Sequence, residues 1–166
     1  THATNIARGI ATVIEDMQAS GVPRISADYL DYEPRLLAVT GPDGSRLHSG
    51  RSRQDLASAM ARMNLRDGLQ REITALITAR DSIVALAEKH IDTIIPAYTH
   101  GVQAQPTTFA HYLHALGAAL ARQTQRLREA YARVNLNPLG TAALATSSFP
   151  INRRRLEELL GFEGLL

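Results

Sequence analysis

Apolar residues recur at helical spacing along most of the chain. Ile6, Ile10, Val13, Ile14 and Met17 predict a helix over about 4–20, stopped by Gly21 and Pro23. Ser26 is a favourable N-cap for a second helix over about 26–40, which carries Tyr29, Leu30, Leu36 and Leu37. Pro34 lies inside it and predicts a kink or two short pieces. Gly41-Pro42-Asp43-Gly44 reads as a turn. A third stripe, from Leu56 and Met60 through Leu69, Ile73 and Leu76 to Ile83 and Val84, predicts one helix over about 54–90. At ~1.5 Å per residue it is on the order of 50 Å long.

The fourth helix is expected to open at Pro106, a good first helical position, and to run to about 134. Leu113, Leu120, Leu127 and Val134 fall seven apart, and Phe109, Leu116, Gln123 and Ala130 fill a companion seam. Such a heptad stripe calls for partner helices along its length. One short chain offers few of them, so assembly into a larger bundle is expected. A long polar segment from Asn135 to Pro150 follows, and then a short helix over about 152–160 with Gly161 as its stop. No strand, internal repeat or low-complexity tract is predicted. The fold class is therefore all-α.

Composition narrows the function classes. With 45% hydrophobic and 20% charged residues, the 166-residue chain has an ordinary soluble composition. Zero Cys excludes disulfides and thiolate metal sites. A net charge of +2 is too small to argue for nucleic acid, and Arg153-Arg154-Arg155 is a short basic run. No apolar stretch reaches membrane-spanning length, so no membrane partner is expected, and the lack of Cys fits an expected cytoplasmic location. The start, Thr1-His2-Ala3-Thr4, has no Met and no signal-peptide pattern, as expected of a chain cut from a longer one.

Candidate chemistry gathers in three polar stretches. In the first, Leu47 to Asp55 holds His48, Ser49, Arg51, Ser52 and Arg53 just before the third helix. Arginine presents a planar fork that matches a carboxylate, so this stretch can clamp an anion. The alternative is a solvated basic helix start, although cations there oppose the helix dipole. In the second, Thr99 and His100 sit in a short loop between the two longest helices. Histidine carries protons near neutrality, and the Thr99 hydroxyl can hold a substrate oxygen. The alternative is a loop histidine that caps the following helix. In the third, Thr146-Ser147-Ser148 offers hydroxyls for carboxylate oxygens, or is only a turn-rich connector. His111 and His114 share a helix face, but a metal site needs more ligands than that pair. They read as surface or interface residues, and His90 reads as a helix-end residue.

These stretches together resemble a family. Leu47-His48-Ser49-Gly50-Arg51-Ser52-Arg53-Gln54-Asp55 is similar to the first signature of the argininosuccinate lyases, in the fumarase/aspartase superfamily. Ala97-Tyr98-Thr99-His100-Gly101-Val102-Gln103-Ala104-Gln105-Pro106 is similar to their second. Val134 to Gly140, Phe149 to Arg153 and Leu159 to Phe162 resemble the stretch that follows. The likeness runs from about Asp28 onward.

The resemblance implies a long-helix bundle completed by oligomerisation, with residues 1–50 the end of an N-terminal helical domain and 51–166 the first part of the central bundle. It implies a homotetramer whose active sites form where stretches of three subunits meet. It implies reversible elimination across a C–N bond, with release of fumarate from argininosuccinate to give arginine, and with no cofactor and no metal. Carried onto this sequence, His100 matches the catalytic histidine and Thr99 a substrate-binding threonine. Ser52 and Arg53 match the substrate-binding start of the first signature. Gln54 stands where Asn is usual, Ala97 where Gly is usual, and Ser147-Ser148 where a Thr pair is usual. The family's mobile serine loop and its substrate-binding Lys, Tyr and Gln have no matching stretch in this sequence. Two alternatives therefore stand beside the argininosuccinate lyase reading. One is a superfamily lyase acting on another N-substituted succinate, and the other is a non-catalytic structural or assembly protein.

Overall fold

The computed structural model describes residues 1–21, 29–144 and 146–166. The expected helix stop at Pro23 and N-cap at Ser26 lie outside the described residues. Helices dominate in the expected order: α1 (His2–Ala19), α2 (Tyr29–Thr40), α3 (Arg53–Glu88), α4 (Phe109–Val134) and α5 (Arg153–Leu160). A 3₁₀ helix, Gly41–His48, takes the place of the simple turn after α2. α2 continues through Pro34 as one helix, which overturns the expectation of two short pieces. Pro34 is the sixth residue of α2, so it removes one i→i−4 hydrogen bond without ending the helix. The chain divides into two compact units, Thr1–Asn64 with Asn135–Leu166, and Leu65–Val134.

The first unit carries most of the buried side chains. Val13 and Met17 of α1, Leu36 of α2, Ala59 of α3, Leu139 and Phe162 are all buried there. Gly9 lets α1 approach α2 closely, because a Cβ at that place would collide with Thr40. Asn5 donates to the Thr40 carbonyl (3.1 Å) and to Asp43 Oδ2 (3.2 Å), satisfying the end of α2. The same hydrogen bond is the main cause that holds the Asp43 carboxyl below its usual range. At the other end of the sequence, Asn137 donates its N–H to the Gly164 carbonyl (2.7 Å), and Leu166 donates back to Asn137 (3.0 Å). Arg153 donates to the carbonyls of Leu139, Asn137 and Leu166 (3.5, 3.3 and 2.9 Å). α5 begins on Asn152, whose Oδ1 accepts from the Arg155 N–H (2.9 Å), and ends on Gly161 at φ 67°, as the sequence predicts.

The second unit holds the later part of α3, α4 and a β-hairpin between them. The hairpin, β1 (Ile94–Thr99) and β2 (Val102–Thr108), corrects the expectation of no strand. It also moves the start of α4 from Pro106 to Phe109, because Pro106 pairs with Pro96 in the antiparallel ladder. In a two-stranded sheet both strands are edges, so neither proline breaks an interior ladder. Thr108 Oγ1 accepts from the His111 N–H (3.2 Å) and starts the helix instead.

α4 buries Leu113, Gly117 and Thr124, and half-buries Leu120, Leu127 and Tyr131. The leucine heptad holds, but its companion row is Gly117, Thr124 and Tyr131. The expected row fails at Leu116 (44% exposed) and at Gln123, which is also exposed. Thr124 tolerates burial because its hydroxyl donates to the Leu120 carbonyl (3.0 Å). Between α3 and α4 lies an apolar groove of about 510 Å³, lined in part by Ile83, Val84, Leu113, Gly117 and Ala121. No residue of α3 beyond Asn64 is buried. Among the described residues, no helix is long and apolar enough to cross a membrane.

Candidate active site

The first polar stretch is built around the start of α3. Ser52 is its N-cap, with Oγ accepting from the Gln54 N–H (3.0 Å). Asp55, three residues on, accepts the Ser52 N–H on Oδ1 (3.0 Å). Together they form a variant of the capping box, in which the cap hydroxyl serves the Gln54 N–H rather than that of Asp55. The Ser52 hydroxyl accepts within the cap and keeps its own proton to donate elsewhere. Arg53 and Gln54 occupy the first turn with exposed side chains. The conflict between Arg53 and the helix dipole is offset by Asp55, a carboxylate in the same turn.

The neighbouring segments fix this start. Gly50 has φ 68°, and a Cβ there would lie 2.7 Å from Ile151 and 2.9 Å from Phe149. Only a residue without a side chain lets the 149–151 segment close over it. The His48 ring stacks on Tyr29 (centroids 4.3 Å apart), and its Nδ1 is buried with no hydrogen-bond partner among the described residues. Burial pushes the Tyr29 hydroxyl up, and the Glu33 carboxylate that it donates to (3.3 Å) adds to the rise, while Arg51 opposes it. Tyr29 therefore stays protonated at neutral pH.

Asp55 reaches further than the sequence suggests. Its Oδ2 accepts from the N–H groups of Gly140 (3.1 Å) and Ala142 (2.9 Å). This joins the first polar stretch to the turn at Gly140 and Ala142, upstream of the third. Gly140 (φ 96°), Ala142 (φ 57°) and Thr146 (φ 109°) all lie in the left-handed region. Ser147 Oγ accepts from the Phe149 N–H (3.2 Å), so it serves a local turn and retains a hydroxyl proton.

The second stretch forms the hairpin tip. His100 and Gly101 have φ 51° and 76°, the two positive values of a type I′ turn, and His100 is exposed. A non-glycine residue in this region is uncommon, and such residues gather at functional sites. His100 does not cap α4, because Thr108 does. Ala97 lies at the irregularity between Pro96 and Tyr98 and needs no positive φ. Exchanging Gly for Ala there therefore costs no left-handed strain.

The remaining histidines have local partners. His111 Nδ1 bonds Thr107 Oγ1 (2.9 Å), and His90 Nδ1 bonds Thr93 Oγ1 (3.1 Å). The His90 ring also meets Phe109 edge-on (centroids 5.1 Å apart). Among the described residues, no three His, Cys, Asp or Glu side chains gather into a metal-binding group.

Ser52, Arg53 and Gln54 thus share one unit with the Gly140–Ser148 loop, while Thr99 and His100 belong to the other. Sequence reasoning missed the reach of Asp55 and the pinning by Asn137 and Arg153. The Ser-x-x-acid spacing at 52–55 is a signal for the first. The carbonyl contacts of Arg153 leave none in sequence.

Comparison with known proteins matches the site stretches. A protein-family model described as lyase covers residues 31–166, which include all three polar stretches. The argininosuccinate lyase of Methanosarcina acetivorans is 45% identical over 155 residues, 90% of this chain and 32% of that protein. A crystal structure of EDDS lyase in complex with formate superposes with TM-score 0.93 at 45% identity, covering 99% of this chain and 33% of that one. An EDDS lyase variant with bound fumarate gives the same TM-score of 0.93, identity of 45% and coverage of 99% and 33%. The chain spans about a third of the length of the relatives it matches.

Proposed function

The chain belongs to the lyase family, in the fumarase/aspartase superfamily, and from that premise we propose that it serves a carbon–nitrogen lyase of the argininosuccinate type. The reaction is reversible elimination of fumarate from argininosuccinate to leave arginine. The supporting observation is the 45% identity to an argininosuccinate lyase over 90% of the chain. In the reaction a base takes a proton from the carbon beside a carboxylate. The C–N bond breaks, its electrons go to nitrogen, and an acid returns a proton there. His100 carries one of these protons, directly or through water. Thr99 holds a substrate oxygen, and the Ser52 hydroxyl and the Arg53 fork bind a carboxylate, with Gln54 beside them. No cofactor is assigned.

A second substrate has specific support. The EDDS lyase structure is as similar in identity as the argininosuccinate lyase, at 45% each. Gln54 also carries one methylene more than the usual Asn. Both favour another N-substituted succinate within the same chemistry. The test is absorbance of released fumarate by a polypeptide carrying this chain and the rest of the lyase length. Turnover of argininosuccinate supports the first reading, and turnover of other N-substituted succinates alone supports the second. No fumarate from either class counts against both.

Arg53→Lys in that polypeptide keeps the charge but loses the bidentate fork. The Michaelis constant is expected to rise about tenfold, the worth of one hydrogen bond to a charged group. An unchanged constant would make Arg53 structural.

We propose further that residues 1–50 end an N-terminal helical domain, that 51–166 begin the central bundle, and that the working form is a cytoplasmic homo-oligomer, a tetramer. Leu65, Val84, Leu86, Tyr112 and Leu116 are exposed apolar residues on α3 and α4, which suits burial by further copies. Such obligate interfaces bury upwards of about 2,000 Å². Light scattering is expected to give a multiple of the chain mass. A stable, well-folded monomer at micromolar concentration counts against assembly.

A further inference from the structure

Asp55 is a charged side chain only 4% exposed. Among the described residues, no cation pairs with it. A buried carboxylate is costly unless hydrogen bonds satisfy it. Here three backbone N–H groups do so: Ser52 on Oδ1, and Gly140 and Ala142 together on Oδ2. A capping box needs only the first of these. The other two come from residues 85 and 87 positions away, in a turn whose Gly140 and Ala142 adopt φ 96° and 57°. Two N–H groups two residues apart converge on a single oxygen in that unusual backbone. The turn is organised around the carboxylate.

We propose that Asp55 is a positioning residue for substrate-carboxylate binding at Ser52 and Arg53. It does not touch the substrate. It fixes the Ser52 backbone from one oxygen and the Gly140–Ala142 turn from the other, so that the first polar stretch and that turn form one rigid cradle. This rests on the lyase reading given above.

Charge and position make opposite predictions, which gives the test its sign. A negative side chain beside an anion site repels the anion. If Asp55 acted through its charge alone, Asp55→Asn would tighten anion binding. If it acts by position, Asp55→Asn weakens binding, because an amide NH₂ faces donors that need an acceptor.

The experiment is a succinate titration of the 166-residue chain, followed by the backbone amide resonances of Ser52, Arg53 and Gln54. Hydrogen exchange at Gly140 and Ala142 is measured in parallel. Asp55→Asn is expected to weaken succinate binding about tenfold, as for a lost hydrogen bond to a charged group, and to speed exchange at both turn amides. Asp55→Glu keeps the charge and the usual capping-box acid, but its longer arm misplaces the turn. It too is expected to weaken binding, which separates position from charge. Equal or tighter binding by Asp55→Asn overturns the proposal alone. Should Asp55→Asn not fold, wild-type affinity in Asp55→Glu overturns it. A wild-type chain with no succinate-dependent shifts overturns the anion-site reading, and this proposal with it.

Discussion

Replacing His100 by Asn, in a polypeptide that carries this chain and the rest of the lyase length, should lower fumarate release by ~10²–10⁴ while leaving assembly unchanged. That range is what a positioned acid–base group supplies. Asn is the informative substitution because of the backbone. His100 sits at φ 51°, where an ordinary side chain costs roughly 1–2 kcal/mol and where Asn is one of the few residues well tolerated. His100→Ala removes the imidazole and strains the turn, so its loss of rate would mix two causes. His100→Asn removes the imidazole alone. The fumarate assay gives the rate, and light scattering with thermal unfolding gives the assembly. Parental turnover in His100→Asn would remove the histidine from the mechanism. Lost turnover with lost assembly would make it a structural turn residue.

The hairpin that carries His100 was not legible in the sequence, and the reasons are physical. Two prolines, Pro96 and Pro106, argue against strands, yet they pair with each other where both strands are edges. The His-Gly turn lacks the Asn-Gly or Asp-Gly signal of a type I′ hairpin. The helices were legible because their apolar periods are long and their caps ordinary, as at Asn152 and Gly161. The seam of α4 was half legible. Hydrophobicity favours Leu116, but contact follows Gly117, which is small, and Thr124, whose hydroxyl bonds within its own helix. In the site, the residues from Ser52 to Asp55 and from Thr99 to His100 stand out in sequence by resemblance. The bonds from Asp55 to Gly140 and Ala142 do not, since no local pattern specifies partners 85 and 87 residues away.

The 166-residue chain by itself should show no measurable lyase activity. The elimination needs two proton transfers, one from carbon and one to nitrogen. In the proposed mechanism His100 carries one of them. Ser147 and Ser148 offer hydroxyls, but Ser147 already accepts the Phe149 N–H in a local turn (3.2 Å), and among the described residues no base is seen bonded to either. The loss of one partner in such a pair lowers the rate by ~10²–10⁴. The chain spans about a third of the length of the relatives it matches, so any substrate-orienting groups in the rest of that length are missing from the assay too. Orientation is worth up to ~10⁵–10⁸ M in effective concentration, so its loss compounds the first deficit rather than repeating it. The two together place any residual turnover below detection by fumarate absorbance. The measurement is that assay on the purified chain with argininosuccinate and other N-substituted succinates, at enzyme concentrations high enough to see a slow rate. Robust turnover would mean that the groups completing the reaction lie within these 166 residues, with His48, whose Nδ1 has no hydrogen-bond partner among the described residues, or the Ser147-Ser148 pair as the second proton carrier.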